Sequence, residues 1–278
     1  MKPTLFILLL LSLPLTLNAR TADNDAPAFN MEKDLLLLHF DLKTDVDDVH
    51  TIAATDLILR SPAFTKLKVF AVSGTYGVQG GLYVPADKLL DRVFGNRWVD
   101  AHMYRAKALT STISVIHDTL STGGKVWLAE AGQSDFTAAI LRQYTARFGK
   151  LDPTSLIVVQ HSEWNENNTS QDALQYTKEN TTYIKIPDGN TLGNGTPGYN
   201  NPTYPAKQLE NQSQPTAETW KMASAISKGF NGVNGRYLNK AIESGGVDFS
   251  DLAEVIWILN IEDVDSAKDF FLHVNSGN

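Results

Sequence analysis

The chain has 278 residues, with 24 Lys and Arg against 31 Asp and Glu, a formal net charge of −7 and no cysteine. That acidic balance, without a basic stripe, excludes a nucleic-acid surface, which has to neutralise phosphates. It also leaves no disulfide framework and no thiolate metal or redox centre, so the fold stands on its apolar core or on metal held by other donors.

Lys2 precedes an apolar run over 5–17, broken only by Ser12, Pro14 and Thr16, and Asn18-Ala19-Arg20 follow. This has the form of a secretory signal, with cleavage expected after Ala19. The run falls short of the roughly 20 apolar residues that a membrane span needs. The expectation is an exported protein, periplasmic or secreted, that does not stay inserted in a membrane. Residues 20–33 are polar and small and read as a lead-in, and 34–278 read as one α/β domain.

Within that domain, 35–40 is a short apolar run that reads as a buried strand, followed by a helix over 49–59. A second strand spans 67–73, and helices are expected over 85–94 and 111–120. A third strand covers 126–129, a helix 135–148 and a fourth strand 156–160, with another helix opening over 170–176. Residues 186–215 are rich in Gly, Asn and Pro and read as a long loop. Helices over 217–227 and 251–260 complete the pattern. Alternating strands and helices with short connections predict an open, mostly parallel sheet with helices on both faces.

In such sheets ligands bind beyond the carboxyl ends of the strands. Each of those ends here is polar: Asp41 to Asp48, Ser73 to Gly77, Glu130 to Asp135, and His161 to Asn165. The first is the richest, with four aspartates in eight residues. Packed carboxylates repel unless a cation or a proton separates them, and oxygen-only ligands suit calcium or magnesium. The plainer alternative is that Asp47 and Asp48 cap the next helix, which accounts for one or two acids but not for four.

The turn Asp41-Leu42-Lys43-Thr44-Asp45-Val46-Asp47-Asp48 resembles the Asp-x-Asp-x-Gly-x-Asp-Asp fingerprint of the inosine-uridine preferring nucleoside hydrolases, which cleave N-glycosidic bonds. Further segments are similar to that family in its own order: Val72-Ser73-Gly74-Thr75, Gly132-Gln133-Ser134-Asp135, Glu163-Trp164-Asn165 and Phe249-Ser250-Asp251-Leu252-Ala253. The resemblance spans about residues 35 to 260. It implies a nucleoside hydrolase-like fold and a calcium ion bound by Asp48 and Asp251, with the carbonyl of Asp135 as a third ligand. Asp47 would hydrogen-bond a ribose hydroxyl. Thr75, Glu163, Trp164 and Asn165 would line the substrate, a small riboside or nucleoside, and a homo-oligomer is compatible with it. The implied reaction is attack of a metal-oriented water on the anomeric carbon.

Two positions depart from the fingerprint. Lys43 stands where the family has an Asp that contacts metal and acts as base, and Asp45 stands where it has Gly. An ammonium accepts no hydrogen bond and repels a cation. Asp41, Lys43, Asp45 and Asp47 are therefore the candidate catalytic set. Either Asp45 takes over as base or ligand, or Lys43 replaces the cation in a site without metal; a protein that binds a nucleoside or sugar without cleaving it is the alternative to an enzyme. The opening Phe40-Asp41-Leu42 is also similar to haloacid dehalogenase phosphatases, with Asp41 as nucleophile, but Lys43 and Asp45 depart from that signature as well.

Overall fold

The structure is a computed structural model that describes residues 27–190, 198–211 and 215–276. The expected signal segment lies outside the described residues. Among them, no helix is long and apolar enough to cross a membrane.

In chain order the main elements are β1 (Leu35–Phe40), α1 (Asp47–Arg60), β2 (Lys68–Ser73), α2 (Asp87–Phe94), β3 (Trp98–Asp100), α3 (Ala101–Ser121), β4 (Val126–Ala131) and α4 (Asp135–Phe148). They continue as β5 (Leu156–Gln160), α5 (Glu163–Asn168), α6 (Gln171–Asn180), β6 (Thr182–Lys185), β7 (Asn200–Asn201), α7 (Thr216–Phe230), α8 (Lys240–Glu243), β8 (Val247–Asp248), α9 (Ala253–Ile258) and α10 (Ala267–Ser276). Strands β1 to β6 form one parallel sheet in the order β3-β2-β1-β4-β5-β6, and β7 and β8 make a separate antiparallel pair.

β1 sits at the centre because both its faces are apolar. Leu36, Leu38 and Phe40 join one core with α1, α2, α7 and α9, while Leu35 and Leu37 join a second core with α3 and α4. This alternation follows from the two-residue repeat of a strand, and it puts helices on both faces, as expected. α1 is buried from Asp48 to Ile58, because α7 packs on the side turned away from the sheet. Asp47 and Asp48 in its first turn suit the helix dipole, and Pro62 follows its end at Ser61.

Several expectations need correction. The helix expected over 111–120 begins ten residues earlier, at Ala101, capped by Asp100 accepting from the Met103 N–H at 3.0 Å. The segment expected as a helix from Asp251 opens as a 3-10 turn over Ser250–Leu252 before α9. The expected loop holds β7 and a 3-10 turn at Ala206–Asn211, while 191–197 and 212–214 lie outside the described residues. Edge strands β3 and β6, and helices α5 and α10, carry no expectation from the sequence.

The strand order fixes where a ligand can sit. From β1 the sheet grows in one direction through β2 and in the other through β4, so the crevice opens beyond Phe40 and Ala131. Asp41 and Gly132 are the next residues on those two strands.

Candidate active site

The turn after β1 is pinned by its own backbone. Leu42, fully buried, adopts φ +50, and its N–H donates to Asp48 Oδ2 at 2.6 Å, while its carbonyl accepts from the Val84 N–H at 2.8 Å. Gly132 meets this turn at φ +156, where a Cβ would stand 2.9 Å from the Asp41 Cβ. A side chain at that point would push the two strand ends apart.

Asp41 is held by a net of amides. Its Oδ1 accepts from the Lys43 N–H at 2.8 Å, and its Oδ2 accepts from Gln79 Nε2 at 2.9 Å and Gln133 Nε2 at 3.1 Å. Gln133 also reaches Asn165 Oδ1, and Asn165 Nδ2 donates to Gln160 Oε1. Burial, and then the charge of Asp47, push the Asp41 carboxyl up to about 7 against these hydrogen bonds.

Asp45 and Asp47 lie two residues apart in the turn, both half-buried. Burial raises both groups first, and the interaction between them then lowers Asp45 and raises Asp47. Asp45 comes to about 6, with Asp248 and Asp41 adding repulsion and the Asn239 amide lowering it. Asp48 and Asp251 are pushed well up by burial and then by neighbouring aspartates. Asp248 accepts from Asn200 and Asn239 at 2.7 Å each and from Ser250. Beside Asp45 opens a cavity of about 240 Å³ lined by Asn190, Asn200, Tyr237, Asn239 and Asp248 among others.

The structure brings Asp41, Asp45, Asp47, Asp48, Asp251 and Asn165 of the expected set to one end of the sheet. Thr75 is there too, fully buried, its N–H on the Phe40 carbonyl and its hydroxyl without a partner among the described residues. Other expected residues lie elsewhere or do other work. Glu163 and Trp164 are exposed at the start of α5, Trp164 by 51%. The Lys43 ammonium lies 4.0 Å from the centroid of the Tyr76 ring and, among the described residues, forms no ion pair. It therefore bridges no carboxylates. The Asp135 carboxylate accepts from the Ser170 hydroxyl at 2.5 Å and its N–H at 3.2 Å, which ties α4 to the start of α6.

Sequence reasoning gave no role to Gln79, Gln133, Gln160, Asn239, Asp248 and Glu254, nor did it show what His161 touches. His161 is buried; its Nδ1 lies 3.3 Å from Glu254 Oε2 and its Nε2 lies 3.6 Å from Asp251 Oδ1. Burial alone would lower the imidazole, but Glu254, Asp188 and Asp47 outweigh it and hold it above its ordinary value. One available signal was the spacing of Asp251 and Glu254, three residues apart and so on one helical face.

The donors available suit calcium in kind, and Asp48 Oδ1 is buried without a partner among the described residues. They do not suit it in arrangement. Calcium takes about six to eight oxygens, whereas among the described residues no three His, Asp or Glu side chains are grouped as ligands. Asp41 is spent on three amide N–H groups, Asp47 Oδ1 takes the Asp48 N–H, and Asp251 Oδ1 faces His161. The residues as placed do not form a calcium cage.

Comparison of the chain with protein-family models, with curated proteins and with solved structures finds no match in any of the three.

Proposed function

We propose that this chain is an exported N-glycosyl hydrolase acting on ribonucleosides or related small ribosides, with Asp45 as the base that activates water. The observation that carries the reading is the placing of the Asp45–Asp47 pair among Asp41, Asp48 and Asp251 at one end of the sheet, beside the cavity that Asp45 lines; burial brings Asp45 to about 6 and Asp47 well above its ordinary value. A base poised near neutral pH is what general-base catalysis needs.

In the reaction the C–N bond breaks with its electrons on the departing nitrogen, and water supplies the new C–O bond. The pair takes one proton from water and returns one to the nitrogen, so its proton count is unchanged. Positive character at the anomeric carbon is stabilised by the surrounding carboxylates. The amide net around Asp41, with Asn165, offers donors and acceptors for sugar hydroxyls. The cavity beside Asp45, below the roughly 300 Å³ at which drug-sized pockets begin, suits a small polar group.

A second reading, a protein that binds a nucleoside or sugar without cleaving it, is favoured by Lys43, which resides on Tyr76 where the resembled family has its base. The pH dependence of riboside cleavage separates the two. The hydrolase predicts a rate that falls about tenfold per pH unit below about 6, as Asp45 takes up a proton. Ribose binding with no cleavage at any pH between 5 and 9 (roughly the range in which such a base can titrate) establishes the binding protein instead.

A further inference from the structure

We infer that residues 77–82 form a strap closed over the crevice and latched by Gln79, and that a sugar reaches Asp41 by displacing this latch. The strap crosses from one wall of the crevice to the other. At Gly77 an added Cβ would overlap the Asp135 carboxylate at the head of α4, and at Gly81 it would overlap the Thr44 side chain in the acidic turn. Only glycine lets the backbone lie so near both walls. Between them Gln79 is buried, whereas Val78 stands 72% exposed and Leu82 47%, so apolar packing does little to hold the strap down.

The latch is one carboxamide. Gln79 Nε2 donates to Asp41 Oδ2 at 2.9 Å and to the Lys43 carbonyl at 3.0 Å. Among the described residues, no other hydrogen bond joins 78–82 to the rest of the chain. When the latch leaves, Asp41 keeps the Lys43 N–H and Gln133, so the turn beneath stays formed. A sugar hydroxyl can then donate to Oδ2 as the amide did. The ends of the strap are fixed independently of it. The His102 ring of α3 has its Nδ1 2.6 Å from the Tyr76 hydroxyl and stacks on Tyr83 at 4.0 Å, so one side chain pins the residue on either side. Arg236 donates to the Tyr83 carbonyl at 2.7 Å and completes the far end. A segment pinned at both ends and held between them by one side chain opens locally, without unfolding the sheet. The displacement by sugar rests on the proposed riboside site; the latch does not.

Amide hydrogen exchange of the full chain reads the latch through the Lys43 N–H, on the residue whose carbonyl Gln79 holds. Gln79→Ala is expected to speed that exchange at least about 10-fold, while Leu37 and Leu38 in β1 change by less than about 3-fold. Val78→Ala, on the same strap, is expected to change neither. Lys43 exchange that shifts only in step with β1, or equally in both variants, overturns the latch. Should Gln79→Ala not fold, Gln79→Met, which fills the space without donating, takes its place. Titration with free ribose reads the displacement. A site that is open only part of the time binds more weakly by its open fraction, so Gln79→Ala is expected to bind ribose at least about fivefold more tightly than the wild type. Weaker binding by the variant means that the amide holds the sugar instead of shutting it out, and the inference fails. If neither protein binds ribose, the proposed riboside site falls, and exchange at Lys43 alone decides the strap.

Discussion

Glu130 lies at the end of β4, directly beside His39 of β1 in the parallel register, with no exposed surface. Its carboxyl accepts from the Ser134 hydroxyl at 2.6 Å and from the Thr137 hydroxyl. Burial, opposed by those two hydrogen bonds, raises it from 4.5 to about 7. A raised carboxyl is more stabilising when protonated: its contribution is complete below the unfolded value of 4.5 and is lost as pH climbs through about 7. At roughly 1.36 kcal/mol per pH unit, the loss amounts to about 3 kcal/mol between pH 4.5 and pH 8. Glu130→Gln keeps an oxygen for Ser134 or Thr137 and cannot ionise. Urea unfolding of both proteins at half-unit steps from pH 5 to pH 8 therefore has a defined outcome. The variant gains on the wild type as pH rises, by about 2 to 3 kcal/mol over that window. Buried His50, lowered to about 3 by burial, acts in the opposite direction but equally in both proteins. A stability difference that stays constant across the window refutes the assignment of a buried, pH-sensitive proton to Glu130.

Asp48→Ala removes the acceptor that holds the Leu42 N–H in its left-handed turn. A loss of about 2 kcal/mol is expected in urea unfolding at pH 6, with Asp48→Asn losing less than half of that; equal stability of wild type and Asp48→Ala contradicts it. Gly132→Ala drives a methyl to 2.9 Å from the Asp41 Cβ, whereas Gly80→Ala meets nothing within 4 Å. The first is expected to cost about 1 to 3 kcal/mol in thermal melts and the second close to nothing. Matching melts for the two alanine variants would mean that the strand ends do not approach so closely.

The interior of the fold was legible where the sequence is locally decisive. β1, α4 and β5 fall on the residues expected, because each is a continuous apolar run or a helix with clear ends. Edge strands β3 and β6 were not legible: Trp98-Val99-Asp100 and Thr182-Tyr183-Ile184 are half-buried, short and without an apolar run. The first half of α3 was hidden for a related reason, since 102–107 is exposed and carries His, Tyr, Arg and Lys with no apolar stripe. At the site, the acidic turn declared itself through its charge density. Its partners did not, because Gln79, Gln133 and Asn239 are ordinary residues until the strand order brings them beside Asp41, Asp45 and Asp248. The position of Lys43 depends on Tyr76, which sits on a different strand end. Glu163 and Trp164 matched a motif, yet a short helix turns both toward solvent. Order along the chain located the site, whereas the roles of its residues depended on side-chain contacts between elements far apart in sequence.

The most direct measurement is single-turnover release of free ribose from a panel of purine and pyrimidine nucleosides, with protein in excess, for the wild type and Asp45→Asn at pH 7.5 (about 1.5 units above the Asp45 value, so that the proposed base is ionised). The account predicts ribose from at least one nucleoside with the wild type and a rate at least about 100-fold lower with Asp45→Asn, the usual contribution of a positioned general base. Equal ribose release by both proteins, or none from any nucleoside with the wild type, contradicts it.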